Sequence, residues 1–162
     1  MGQYSFDDNL ITLSVKKAPK IIRGILFLLA FMFLLAPITG MIISISVGSG
    51  FHIGFLIGIA IFSVLGFYLL RLALWNTHGE ESVIFMENKI NYEANYGWFK
   101  DGKTSISSNG LICSIVQMGY EEENNGVLRL SNGDSQIQCA VKMPVYEIEE
   151  LISKIETAAN RR

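Results

Sequence analysis

The order of hydrophobic and polar positions divides this chain in two. From Gly24 to Ser46, and again from Ile53 to Leu70, apolar residues continue without a single charge. A helix that is apolar all round needs lipid or a large core around it. A hydrocarbon layer of roughly 30 Å takes about 20 residues of helix. The first run reaches that length by itself, and the second reaches it with Phe51–His52 and Arg71–Leu74. The pattern predicts a transmembrane two-helix hairpin over 21–75, with spans at about 21–46 and 51–75. Its link, Val47-Gly48-Ser49-Gly50, is so short that the helices must be antiparallel neighbours. Pro37 is expected to bend or loosen the first of them.

Beyond Gly79 the apolar period falls to two, the signature of half-buried strands. Seven runs fit: Ser82–Met86, Lys89–Ala94, a stretch through Trp98-Phe99-Lys100, Lys103–Ile106, Leu111–Met118, Gly126–Leu130 and Ser135–Val141. Glu87-Asn88 reads as a tight link. Asp101-Gly102 and Asn132-Gly133 read as hairpin turns, because Asp-Gly and Asn-Gly accept the positive φ such turns demand. The period changes once more at Pro144, a residue suited to a first helical turn. Ile148, Leu151, Ile152, Ile155 and Ala159 then form one apolar stripe, with Glu147, Glu149 and Glu150 near the start and Lys154 four residues after Glu150. This predicts an amphipathic helix over about 144–159 that covers the open end of a curved sheet, within a domain spanning 79–162. Upstream, in the segment 1–20, Ile11, Leu13 and Val15 alternate with Thr12 and Ser14. That short strand at 10–15 either joins an edge of the sheet or frays as a terminus.

Charge adds an orientation. Lys16, Lys17, Lys20 and Arg23 precede the first span, and the link between the spans carries no basic residue. Excess positive charge stays on the cytoplasmic side, so both termini are expected there in a multi-pass topology. Trp75 suits the interfacial belt. The first run is too long, and begins too late, for a cleaved signal peptide, and no A-x-A pattern follows it. From Gly79 onward thirteen acidic side chains face eight basic ones. That balance argues against nucleic acid as a partner and against broad adhesion to anionic headgroups; the bilayer itself is the first partner implied. Cys113 and Cys139 lack metal-site spacing, and Cys139 falls on the apolar side of its strand as a small core residue.

Seven antiparallel strands closed by one helix resemble the pleckstrin-homology fold. The whole layout is similar to small bacterial membrane proteins with a two-helix N-terminal anchor and a cytoplasmic PH-like domain. The segments that carry the likeness are the hairpin, GEESVIF (Gly79–Phe85), KINYEA (Lys89–Ala94) and PVYEIEELISKIE (Pro144–Glu156). The resemblance implies a membrane α-hairpin plus an α+β PH-like domain, its strands forming a partly open barrel capped by the C-terminal helix, in the bacterial inner (plasma) membrane. Phosphoinositide-binding members place a basic cluster across the first two strands; here that place holds Glu87-Asn88 and a single Lys89.

Candidate chemistry is sparse. Tyr92, Tyr96, Trp98 and Phe99, with Lys100 and Lys103, form a candidate interaction surface for a peptide or the bilayer interface. The plainer reading is that these aromatics fill the core and cover its rim. Gly54, Gly58 and Gly66 form a candidate helix-packing seam, within the hairpin or between two copies as a homodimer. Glu121-Glu122-Glu123-Asn124-Asn125 is a polar loop without calcium-loop spacing. His52 and His78 assemble with no Ser, Cys or Asp into a triad. No catalytic, metal or cofactor-binding set is expected, and no enzyme activity. The reading that results is a membrane-anchored binding or scaffold module with a protein partner. The alternatives are an immunity or antiphage-defence protein, such as a nucleotide-sensing β-barrel effector, and a lipid-handling PH-like domain.

Overall fold

The computed structural model describes residues 2–119 and 123–159. They hold nine strands and three helices: β1 (Tyr4–Asp7), β2 (Leu10–Ser14), α1 (Lys20–Ser46), α2 (Ile53–His78), β3 (Glu80–Phe85), β4 (Lys89–Asn95), β5 (Lys100–Ser107), β6 (Ile112–Gln117), β7 (Asn125–Ser131), β8 (Gln136–Gln138), β9 (Met143–Pro144) and α3 (Val145–Ala159). They fall into two compact units. One gathers residues 1–16 and 78–162, and the other is 17–77.

The helical unit is α1 and α2. Both helices are long and apolar enough to cross a membrane, and only 6% of the most apolar stretch of each is buried. Large side chains from Ile21 to Ile45 and from Ile53 to Tyr68 stand on the surface. Burial of each is worth about 1.5–3 kcal/mol, so water is a costly surrounding for them. The few polar side chains turn back on their own helix: Thr39 donates to Leu35 O at 2.9 Å, Ser46 to Ile42 O at 2.8 Å and Thr77 to Ala73 O at 2.7 Å. Helix α1 runs unbroken through Pro37. The two helices meet at Gly66, where an added Cβ would lie 2.7 Å from Leu34 Cγ and 3.2 Å from Ala30 O. Phe33 and Phe62 pack beside this contact with ring centroids 5.5 Å apart.

The β unit holds two antiparallel sheets, which do not close into one ring. The first has the order β1-β2-β3-β4-β5; the second has β6-β7-β8, with β9 also on β7. The count is nine strands where the sequence pattern suggests about seven, because three strands are added while the two runs expected on either side of Asp101-Gly102 merge into β5. The N-terminal segment supplies β1 and β2: Leu10 to Ser14 pair with Ile84 to Glu80, and Ile11 and Leu13 are fully buried. The expected Ser135–Val141 strand breaks after Gln138 and resumes as β9, which returns to β7 through Gly126↔Met143. Asp101-Gly102 is not a turn. It lies inside β5, Gly102 takes φ 69°, and the β4–β5 register shifts between Tyr92 and Ala94. The turn is four residues earlier, at Gly97-Trp98, with Tyr96 N–H donating to Phe99 O at 2.9 Å. Gly97 has φ 87°, the glycine-first geometry of a type II′ hairpin. Asn132-Gly133 does lie in the β7–β8 turn, where Gly133 has φ 90°.

Helix α3 packs on β6, β7 and β9 and touches β1. Ile148, Leu151 and Ile155 of its stripe are buried. They join Val83, Ile90, Ile106, Leu128, Leu130, Ile137 and Met143 in the core.

Candidate functional site

The first site is built around a carboxylate. Alternation along β3 turns Glu81 to the same side as Val83, and both side chains are fully buried. A buried carboxylate needs donors, and three converge here. Tyr92 on β4 donates its hydroxyl to Oε1 at 2.5 Å, Ala140 N–H donates to Oε1 at 2.6 Å, and Val141 N–H donates to Oε2 at 3.0 Å. The two amides belong to the stretch between β8 and β9, where the ladder on β7 is interrupted. Glu81 therefore supplies the acceptors that the interrupted strand lacks, and it staples the first sheet to the second. Burial pushes its carboxyl above the ordinary value, against the pull of the three donors. Burial, then the charge of Glu81, pushes the Tyr92 phenol up in turn. The Cys139 thiol is also raised, by burial first and then by Glu81. Burial, then Glu156, lifts Cys113 to about 11. Both thiols therefore stay protonated near neutrality, unlike a nucleophilic thiolate.

The aromatic and lysine candidates are separated by the sheet. Tyr92 shares its face with Ile90 and Ala94 and engages Glu81. Tyr96 is 8% exposed and stacks on Phe99 with centroids 4.8 Å apart. Trp98, at the turn, is 64% exposed. Lys100 and Lys103 both reach Glu93, at 2.7 and 3.2 Å, and these contacts hold the Glu93 carboxyl below its usual range. What stays outward is the Trp98 indole at the turn and, on β4 and β5, the Glu93 carboxylate with its two ammonium partners. A shallow cleft of about 400 Å³ opens nearby over Ser82, Asn91, Glu93, Lys103 and Thr104.

The glycine candidates also divide. Gly66 is the contact between α1 and α2, whereas a Cβ at Gly54 or Gly58 would meet nothing within 4 Å. His52 Nε2–H donates to Ser49 O, 3.0 Å away, in the link between the helices. Of the polar loop, Glu121 and Glu122 lie outside the described residues; Glu123 pairs with Lys142. Among the described residues no group of three or more His, Cys, Asp or Glu is arranged to hold a metal ion.

Two strand edges complete the geometry. β1 ends the first sheet and β6 ends the second, and α3 contacts both. The alternation of the ladder fixes what β1 presents. Ser14 N–H donates to Gln3 O at 2.7 Å, and Val15 N–H donates to Gly79 O at 2.9 Å. Even-numbered residues of β2 thus face β1. By the same rule Ser5 and Asp7 turn their backbone groups to β2, and Tyr4 and Phe6 turn theirs to the open side. The Glu81 staple and the β1 edge were both missed from sequence. Glu81 carried one signal, its even spacing from Val83; β1 is four residues long and offered almost none.

Compared with protein-family models, with curated proteins and with solved structures, the chain matches none.

Proposed function

We propose that this chain is a non-catalytic, membrane-anchored binding module: a PH-like β unit displayed at the cytoplasmic face of a bacterial inner membrane to hold a protein partner. The observation that carries the reading is the open edge of β1 beside α3. An exposed ladder edge next to a helix is a surface on which extended peptides dock, and the chain leaves this one uncovered by its own strands. The placement in the membrane draws on two further facts. The apolar surfaces of α1 and α2 call for lipid. In addition, β2 and β3 pair with each other across the inserted hairpin, which supports placing both ends of that hairpin on one side of the bilayer; Lys16, Lys17, Lys20 and Arg23 favour the cytoplasmic side. Gly54 and Gly58, open on the outside of α2, offer a surface for pairing two hairpins.

The test is site-specific photocrosslinking in intact cells, with the photoreactive residue placed at exposed positions of the β unit in the full-length chain. A discrete adduct at a subset of positions is expected. Uniform absence of adducts from every position sinks the proposal. For topology, an Asn132→Cys variant should resist an impermeant maleimide in whole cells and react after lysis.

A further inference from the structure

The β1 edge borders a trough whose other wall is α3, and its chemistry selects an occupant. At one end lie Gly2, Tyr146, Glu147 and Glu150. In the middle the Lys154 ammonium donates to the Tyr4 hydroxyl at 2.8 Å, sits 5.0 Å from that ring's centroid and pairs with Glu150 at 2.8 Å. At the far end a recess of about 190 Å³ opens among Phe6, Phe85, Met86, Leu111 and Ile155, with Asp8 and Glu87 also on its wall. Phe6 lines all three parts, so the trough follows the strand.

Three properties combine. Tyr4 and Phe6 aim one N–H and one C=O each at the open side, so an incoming strand finds a ladder. The recess takes one side chain of leucine or phenylalanine size. Among the described residues, Asp8, Glu87, Glu147 and Glu150 line the path with Lys154 as the one cation, and that lysine is already matched by Glu150. A second copy of the same edge would bring Asp7 and Asp8 against this acidic wall and be repelled; an anionic lipid surface would be repelled likewise.

We propose that the trough between β1 and α3 binds an extended basic peptide segment, which adds as a strand to β1, sets one large apolar side chain in the recess and places lysine or arginine against the four carboxylates. The inference rests on the binding-module reading and specifies its partner chemistry.

The probe is a fluorescent Lys-Val-Lys-Leu-Lys-Val-Lys peptide, titrated onto the full-length protein in nanodiscs of zwitterionic lipid. Saturable binding is expected. Full N-methylation of the peptide, which removes its donors, should weaken binding at least tenfold, the scale of one or two hydrogen bonds. Replacing its lysines by glutamates should abolish binding. Glu150→Lys with Asp8→Asn should weaken it by a similar factor; both positions are exposed, and Asn tolerates the φ of 43° at residue 8. Equal binding of the N-methylated peptide to the unaltered protein overturns the proposal, as does indifference to the charge changes or an equal signal from empty nanodiscs. Photocrosslinkers at Tyr146 and at the other exposed positions separate the two levels in cells: adducts elsewhere with none at Tyr146 overturn the trough and leave the binding module standing, and absence of adducts from every position overturns both.

Discussion

Removing the Tyr92 hydroxyl gives the sharpest test of how this β unit holds together. Tyr92→Phe keeps the ring and deletes one of three donors to a buried carboxylate. A hydrogen bond to a charged group is worth about 1.5–3 kcal/mol, and the acceptor here is a fully buried carboxylate. At about 1.4 kcal/mol per decade, opening of the interrupted strand should become roughly 10- to 150-fold more frequent. Hydrogen exchange of the full-length protein in nanodiscs reads this directly at the Ala140 and Val141 amides, which both donate to Glu81. The pH dependence carries an independent sign. Burial raises the Glu81 carboxyl above 4.5, so the folded chain keeps a proton that the unfolded chain has released. The stability due to this group is complete below about pH 4.5 and is lost as pH rises through the folded value. Glu93, Glu123 and Glu150, held low by their lysine partners, act oppositely: their contribution is present above that pH and is lost as pH falls through their folded values. The difference between wild type and Glu81→Gln isolates the single group. Wild type should lose stability relative to the variant on going from pH 4.5 to neutrality. A change below threefold in exchange for Tyr92→Phe, or parallel pH profiles for Glu81→Gln and wild type, refutes the staple.

Two further outcomes follow from the architecture. Gly66→Val should weaken α1–α2 packing by about 1–3 kcal/mol through overpacking against Leu34, whereas Gly54→Val should leave the hairpin intact; donor–acceptor fluorescence between the two helices in micelles measures both, and equal effects would contradict the seam. Replacing Lys17–Thr77 by Asn-Gly should give a soluble, folded β unit, because Lys16 follows and His78 precedes the paired Val15 and Gly79 and a two-residue turn suits that spacing; loss of dispersed amide signals in its NMR spectrum would contradict an autonomous unit.

The sequence disclosed the elements whose pattern is long or strongly periodic. Two uncharged runs announce α1 and α2, and the stripe from Ile148 to Ile155 announces α3. Its errors have physical causes. Asp101-Gly102 marks a place where φ turns positive, and bulges and hairpin turns share that need; only the partner strand tells them apart. β1 and β2 are brief, and their burial depends on β3, some seventy residues away in the chain. Glu81 looked like one of several charges in Gly-Glu-Glu-Ser, because its donors come from Tyr92 and from backbone near residue 140. Tyr92 was grouped with Trp98 by proximity in sequence, yet strand alternation sends one inward while the turn leaves the other outside.

The splicing of α1 and α2 between neighbouring strands imposes an order of assembly. The ribosome delivers Leu10–Ser14 long before Glu80–Phe85, and on the proposed membrane placement the intervening residues are threaded into the bilayer between the two. Until then the early strand has β1 beside it and lacks β3, and on the proposed placement a chain whose second span fails to insert would strand the two halves of the sheet on opposite sides. On that placement, completing the first sheet depends on both spans having inserted, because β2 reaches β3 only when the two ends of the hairpin share a side.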